Sequence, residues 1–512
     1  MTCHWVDKQY KINNVVLGCF LHEGESQSES LVDDFAVKIF RECGFDMVNI
    51  SAVVSDTTGN MNKFGKMLED LNIPHIYCTD HVLQLTAKIA YYEKDIDDGP
   101  QFDIMKKVRR LIDHFSRSHL MTEKLKKAQK NLDEFDGQVP LRIKTDVKTR
   151  WWSTYASIER LIKLKRVFRL MEVQDDLTAE MIPTEIEWKI LEQVCAFLKP
   201  FKLVMKRLEG EKYSTIGLVP SCITYLRKSM NDFIQEHNIR MNRQNERNFL
   251  EYIVKNMKID FDERWGEDDD PKFEGVVVRG NMDRQIGIHT VIAVACALDP
   301  RSKALSAYSD EEKDHIWDMV TNFASEYSDM NHIYVLPLPL DDADNVNRGV
   351  PNVLNDIEND DNVNELDAYL REANQDENLN GNGQDLNVDN QNGDDLHEDD
   401  EPVGYGLQKC IEEIEKYRNL RPLPYNENGN VLCPLQDFWK LREHKFPVLS
   451  GLARKFLAVP ATSAPSERVF SSASRNISKD RNRLSAETAG TQIFLCKILE
   501  WYDDEMERNG RN

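Results

Sequence analysis

The stretch from Asp341 to Glu401 sets the first limit on how this 512-residue chain can fold. It holds 20 Asp and Glu against two basic residues, Arg348 and Arg371, is rich in Asn and is nearly free of aromatic side chains. Such a composition buries too little apolar surface to offset the entropy of ordering a chain. Residues 341–401 are therefore predicted to be a disordered acidic insert, with ordered segments before and after it.

Locating the charge changes what the composition excludes. The insert carries −18 of the formal −23, which leaves −5 for the rest of the chain. An acidic total of this kind does not rule out phosphate-binding surfaces elsewhere. The insert itself reads either as a solvated spacer or as an acidic tract that competes with nucleic acid for basic surface, and the sequence leaves both open. The ten cysteines are scattered singly with no CxxC pair, which points to reduced thiols in the cytosol or nucleus. No run approaches the roughly 18 apolar residues of a membrane span, and the start has no signal pattern, so no membrane role is expected.

Residues 1–100 alternate short β-rich runs (Val15–Phe20, Val48–Val54, His75–Tyr77) with helical ones (Leu31–Phe45, Met61–Leu71), the pattern of an α/β unit. Residues 101–340 read as helical, as in the spacing of Leu191, Val194, Cys195 and Leu198. Residues 402–512 are helical again, with Leu449, Leu452, Ala453, Phe456 and Leu457 on one apolar face. No Gly-rich phosphate loop, GxSxG elbow or HExxH helix is present, so neither other hydrolase chemistry nor a small-molecule substrate is supported.

Four ordered stretches carry a resemblance to a known family. Val54-Ser55-Asp56-Thr57-Thr58-Gly59-Asn60 ends a β-run in an aspartate. Cys78-Thr79-Asp80-His81 opens an apolar helix. Asp146 to Tyr155 contains Thr149-Arg150-Trp151-Trp152. Phe446 to Pro460 continues through Ser463-Ala464-Pro465-Ser466-Glu467-Arg468-Val469-Phe470. In content and order these resemble the hAT superfamily of DNA transposases, and Leu298-Asp299-Pro300-Arg301 and Asp437-Phe438-Trp439 are similar to further family elements.

The resemblance implies a ribonuclease H-like α/β core interrupted by a large helical insertion, with a helical carboxy-terminal dimerisation segment. It places Asp56 and Glu467 as the second and third catalytic carboxylates, which would hold Mg²⁺ in two-metal phosphoryl transfer. It places Arg150, Trp151 and Trp152 at DNA, Cys78 and His81 in a CxxH element, and Leu449, Leu452, Phe456, Leu457, Val469 and Phe470 in dimerisation. Each has a plainer reading. Asp56 could cap the helix near Asn60, Glu467 could favour a helix amino end, Cys78 and His81 could be a buried thiol and a hydrogen-bonded histidine, and the tryptophans could be core.

The family's first carboxylate lies on a strand before Val15–Phe20, where this sequence offers only Asp7, in a run resembling the family's second strand. The expectation is a core lacking its first, mid-sheet strand, and hence an unstable or closed-up sheet. The expected function is self-association with DNA binding in the nucleus, without complete transposition catalysis. An active transposase with a longer amino terminus and a domesticated regulatory protein are the alternatives.

Overall fold

The computed structural model describes residues 1–18, 43–45, 49–90, 104–135, 137–144, 151–241, 249–266, 288–331, 363–373, 406–420, 422 and 435–469, with scattered residues between 488 and 506. The predicted helix Leu31–Phe45 lies almost wholly outside them.

Strands β1 (Thr2–Val6) and β2 (Ile12–Val16) form an antiparallel hairpin, with Thr2 opposite Val16 and Val6 opposite Ile12. Asp7 fixes the turn. Its Oδ1 accepts the N–H groups of Gln9 and Lys11 at 2.8 and 3.0 Å, and its Oδ2 accepts Asn13 Nδ2 at 2.9 Å. This local bonding sets the register, so β2 starts at Ile12, three residues before the expected Val15.

Strand β3 (Val53–Ser55) pairs in parallel with β4 (His75–Tyr77), and helix α1 (Gly59–Asp70) makes the crossover. The described strands thus form two separate two-stranded sheets, β1-β2 and β3-β4. The expected closing of the sheet does not occur among them. Shared packing holds both in place. Phe64 and Leu68 of α1 pack with Ile73 over Met1 and Leu17 of the hairpin and over Ile50 and Val53 at the parallel pair. The helix Pro447–Phe456 packs against β1.

The remainder is mostly helical. In order come α2 (Thr79–Lys88), α3 (Ile104–Arg117), α4 (His119–Gln129), α5 (Trp151–Lys163), α6 (Lys165–Val173), α7 (Glu185–Leu208), α8 (Val219–Glu236), α9 (Phe249–Trp265), α10 (Thr290–Leu298), α11 (Asp310–Asn331), α12 (Val363–Ala373), α13 (Leu407–Asn419) and α14 (Pro447–Phe456). Helix α7 begins with a reciprocal capping box. The Thr184 hydroxyl accepts the Glu187 N–H at 3.3 Å, and the Glu187 carboxylate accepts the Thr184 N–H at 2.7 Å. Helix α10, Thr-Val-Ile-Ala-Val-Ala-Cys-Ala-Leu, is buried on every side after its first residue, as expected of a helix apolar all round.

One continuous core runs from Val6 and Ile76 through the helices to Leu449 and Ala461, so the α/β unit, the helical segment and the carboxy-terminal segment share it. The Leu298–Arg301 element anchors it. Arg301 and Asp299 are fully buried, with Arg301 Nε donating to Asp299 Oδ1 at 2.9 Å and Nη2 to the Ser214 carbonyl at 2.7 Å. Trp439, of the Asp437-Phe438-Trp439 element, donates Nε1 to the Leu298 carbonyl at 3.0 Å.

The acidic insert corrects one expectation. Residues 363–373 within it form α12, which packs on α7 and α8 with Leu366 and Leu370 buried. Composition averaged over the insert hides this short run, whose Leu366, Tyr369 and Leu370 share one helical face.

Candidate functional site

Asp56 directly follows β3, half-buried, with Oδ1 accepting both the N–H of Thr58 at 3.0 Å and its hydroxyl at 2.8 Å. Thr58, not Asp56, is the residue before α1, and its side chain makes no cap. Asp56 therefore organises the turn ahead of the helix. One strand over, the Cys78 N–H donates to the Ser55 carbonyl at 2.7 Å, which brings the amino end of α2 beside Asp56.

The Cys78–His81 spacing has a local physical meaning. Cys78 is the N-cap of α2, and its sulfur accepts the N–H of His81 at 3.4 Å and that of Ser463 at 3.2 Å. Burial pushes its thiol up to about 11, so it is a neutral cap. Thr79 N–H donates to the Ala461 carbonyl at 3.1 Å, and Ala461 N–H to the Thr215 hydroxyl at 3.1 Å. These bonds pin residues 461–463 onto α2 and deliver Glu467 to the same end of the molecule.

His81 is where Asp56 and Glu467 meet electrostatically. Burial lowers its pKa, and the charges of both carboxylates oppose that shift. Glu467 itself is exposed and accepts the Ser463 hydroxyl at 3.3 Å. Arg468 next to it pairs with Glu211 and donates Nη2 to the Glu209 carbonyl at 2.8 Å.

Behind this surface Asp80 is buried. Desolvation first, and then the neighbouring Glu209 carboxylate, hold its pKa well above the usual range. Sequence reasoning missed Asp80 and Glu209, since nothing local signals that two acids 129 residues apart will share a hydrogen bond. On the hairpin side, the Thr2 hydroxyl lies 2.8 Å from that of Ser466. Burial lowers His4 to about 4, against the charge of Glu211.

Among the described residues no three His, Cys, Asp or Glu side chains converge closely enough to hold a metal ion. Asp56 Oδ1 is engaged by Thr58 and the Cys78 sulfur by two backbone amides, and the described residues by themselves supply no catalytic step.

Arg150 lies outside the described residues, and Trp151 and Trp152 begin α5. Along the second half of that helix the structure adds Lys144 and Lys202, from elsewhere in the chain, to Arg160 and Lys163 of its last turn. Lys144 has its pKa lowered by burial and then by Arg160, Lys202 and Lys163, and only Glu159 opposes them. Lys202 lies 5.3 Å over the ring of Tyr155.

The expected dimerisation residues differ in burial. Leu449, Leu452, Phe456 and Leu457 are buried in the chain's own core, α14 packing on α10, α11, α13 and β1. Within the single chain these four face its own core. Val469 is half-buried and Phe470 lies outside the described residues. A group of exposed apolar side chains follows near the end of the chain: Leu495, Leu499, Tyr502 and Met506, all helical and each about half exposed. Their four-three-four spacing is that of one helix face.

The family model for the hAT family C-terminal dimerisation region matches residues 413–498, from α13 into this stripe. The model for the ZBED1 RNase-like helical domain matches residues 76–197, from β4 into α7. A Zea mays protein named as an AC transposase is 22% identical over 97% of this chain and 54% of its own length. The chain belongs to the hAT family. It is a transposase-derived protein carrying the hAT dimerisation region.

Zinc finger BED domain-containing protein DAYSLEEPER of Arabidopsis thaliana is 21% identical over 71% of this hAT chain and 42% of its own length. Zinc finger BED domain-containing protein 4 of Homo sapiens is 21% identical over 86% and 31%. The chain spans about half the length, or less, of these curated relatives. No described helix is long and apolar enough to cross a membrane.

Proposed function

We propose that this hAT chain works in the nucleus as a DNA-binding homodimer, without complete transposition catalysis. The observation that carries the reading is the cation patch of Lys144, Arg160, Lys163 and Lys202 along the second half of α5, the helix that Trp151 and Trp152 begin. Clustered cations lose free energy by mutual repulsion and regain it when phosphates displace their counterions. Unpaired bases stacking on an indole would add to that binding. The spacing of Leu495, Leu499, Tyr502 and Met506, that of one helical face, supports the dimer, since exposed apolar side chains gain by covering one another.

The hairpin and the parallel pair with its crossover helix support a ribonuclease H-like reading of the α/β unit. Asp56 and Glu467, both acting on His81, fit this reading as vestigial metal ligands for Mg²⁺. The same juxtaposition favours the second reading, an active transposase in which a further carboxylate completes the set.

Binding of a fluorescent DNA duplex to the wild-type chain and to Lys144→Gln/Arg160→Gln tests the DNA reading. Affinity should drop about tenfold or more and the salt dependence should become shallower by roughly two units. Equal binding by the two proteins would refute it. DNA cleavage with Mg²⁺ that is lost in Asp56→Asn would favour the second reading instead.

A further inference from the structure

We infer that α12 is an acidic plug in an anion-binding groove between α7 and α8, and that nucleic-acid phosphate competes with it for the groove. The inference rests on the DNA-binding reading above and adds a regulatory contact to it.

The groove is cationic and aromatic. Lys199 and Arg207 project from α7, and Tyr225 and Lys228 from α8. Helix α12 meets each of them. Glu365 pairs with Lys199 at 2.9 Å, and Asp367, fully buried, pairs with the Arg207 guanidinium. The Tyr369 ring packs 5.2 Å from that of Tyr225, and Lys228 lies 5.6 Å over it. Three cations and one aromatic ring thus receive two carboxylates and one aromatic ring. Phosphate oxygens and a stacked base present the same chemistry.

Two further features make this more than core packing. The helix is short, 11 residues, and comes from the part of the chain with an acidic excess of 18 charges, so little apolar area holds it. Burying an ion pair costs desolvation that its Coulomb attraction only partly offsets, so the Arg207–Asp367 contact contributes specificity more than strength. The groove also adjoins the proposed DNA surface. Lys199 lies three residues before Lys202 on α7, and residues three apart on a helix are neighbours. A duplex seated on Lys202 would therefore reach the cations that α12 holds.

The test is to release α12 without altering charge. Leu366→Ser/Leu370→Ser removes its two buried leucines and leaves every ionic group in place. Hydrogen exchange over residues 363–373 verifies the release. The released full-length chain should bind a DNA duplex about five- to tenfold more tightly at low salt. Its log–log salt dependence should steepen by roughly two to three units, as about three more cations meet phosphate. In the wild-type chain, saturating duplex should speed exchange in 363–373. If the variant releases α12 yet binds with unchanged affinity and slope, the plug is refuted while the DNA reading stands. Wild-type exchange in 363–373 that ignores bound DNA refutes it in the same way. If neither protein binds DNA, the DNA reading fails and the plug with it.

Discussion

The sulfur of Cys78 accepts a hydrogen bond from the backbone amide of Ser463, 3.2 Å away and 385 residues along the chain. One side chain thereby caps the helix after β4 and fastens the segment that carries Glu467. Cys78→Ala should lower stability by about 1–3 kcal/mol, the cost of leaving buried amides without an acceptor. Thermal unfolding measures this. The same burial predicts thiol reactivity. Exposed Cys43 and Cys496 should react rapidly with a thiol reagent, and Cys78, Cys222, Cys296 and Cys410 only on unfolding. Fast labelling of Cys78 in the folded protein would contradict the contact.

Core and interface should separate in the carboxy-terminal region. Leu452→Ala removes a buried side chain and should cost about 2–5 kcal/mol without changing the oligomeric state of the folded fraction. Leu495→Glu/Leu499→Glu, at exposed positions, should leave the melting temperature of the subunit nearly unchanged and convert a dimer to a monomer. Light scattering after size exclusion reads both, and a double variant that stays dimeric would move the interface elsewhere.

Acid should destabilise the fold between about pH 6.5 and 4. Burial lowers His4, His75 and His289 to about 4 from 6.5. His289 Nδ1 also accepts the Val291 N–H at 3.1 Å at the start of α10, which needs an unprotonated nitrogen. A depressed pKa means the unfolded chain takes up the protons first. The stabilisation is therefore full above pH 6.5 and is lost as pH falls through 4, on the order of 1–3 kcal/mol per ring. His289→Asn, which keeps an acceptor but does not titrate, should flatten the slope of denaturation midpoint against pH in this window.

Arg301→Met should be among the most damaging substitutions, by about 3–5 kcal/mol, because it leaves the Asp299 carboxylate buried without its cation. Gly217→Ala should act on the same spot. A Cβ there would fall 2.8 Å from that of Asp299 and 3.0 Å from the Ala295 carbonyl, a backbone group that cannot move aside cheaply. Chemical denaturation measures both, and a loss below 1 kcal/mol in either would mean that this anchor is not needed.

What short-range chemistry controls could be read along the chain. The runs at Met61–Leu71 and His75–Tyr77 became α1 and β4 nearly as read, because apolar periodicity and turn residues act within a few positions. The family resemblance likewise rests on contiguous motifs, which survive as sequence. The rest depends on long-range packing. Whether Leu449 and Leu452 face a partner or the chain's own core depends on α10, α11 and α13, which approach from far along the chain. Asp80 beside Glu209, Lys144 beside Lys202, and α12 on Arg207 depend likewise on long-range packing. Burial and charge–charge distance are properties of that packing, and they set the pKa values, the cation patch and the docked helix. A linear pattern of residue types carries no such distances.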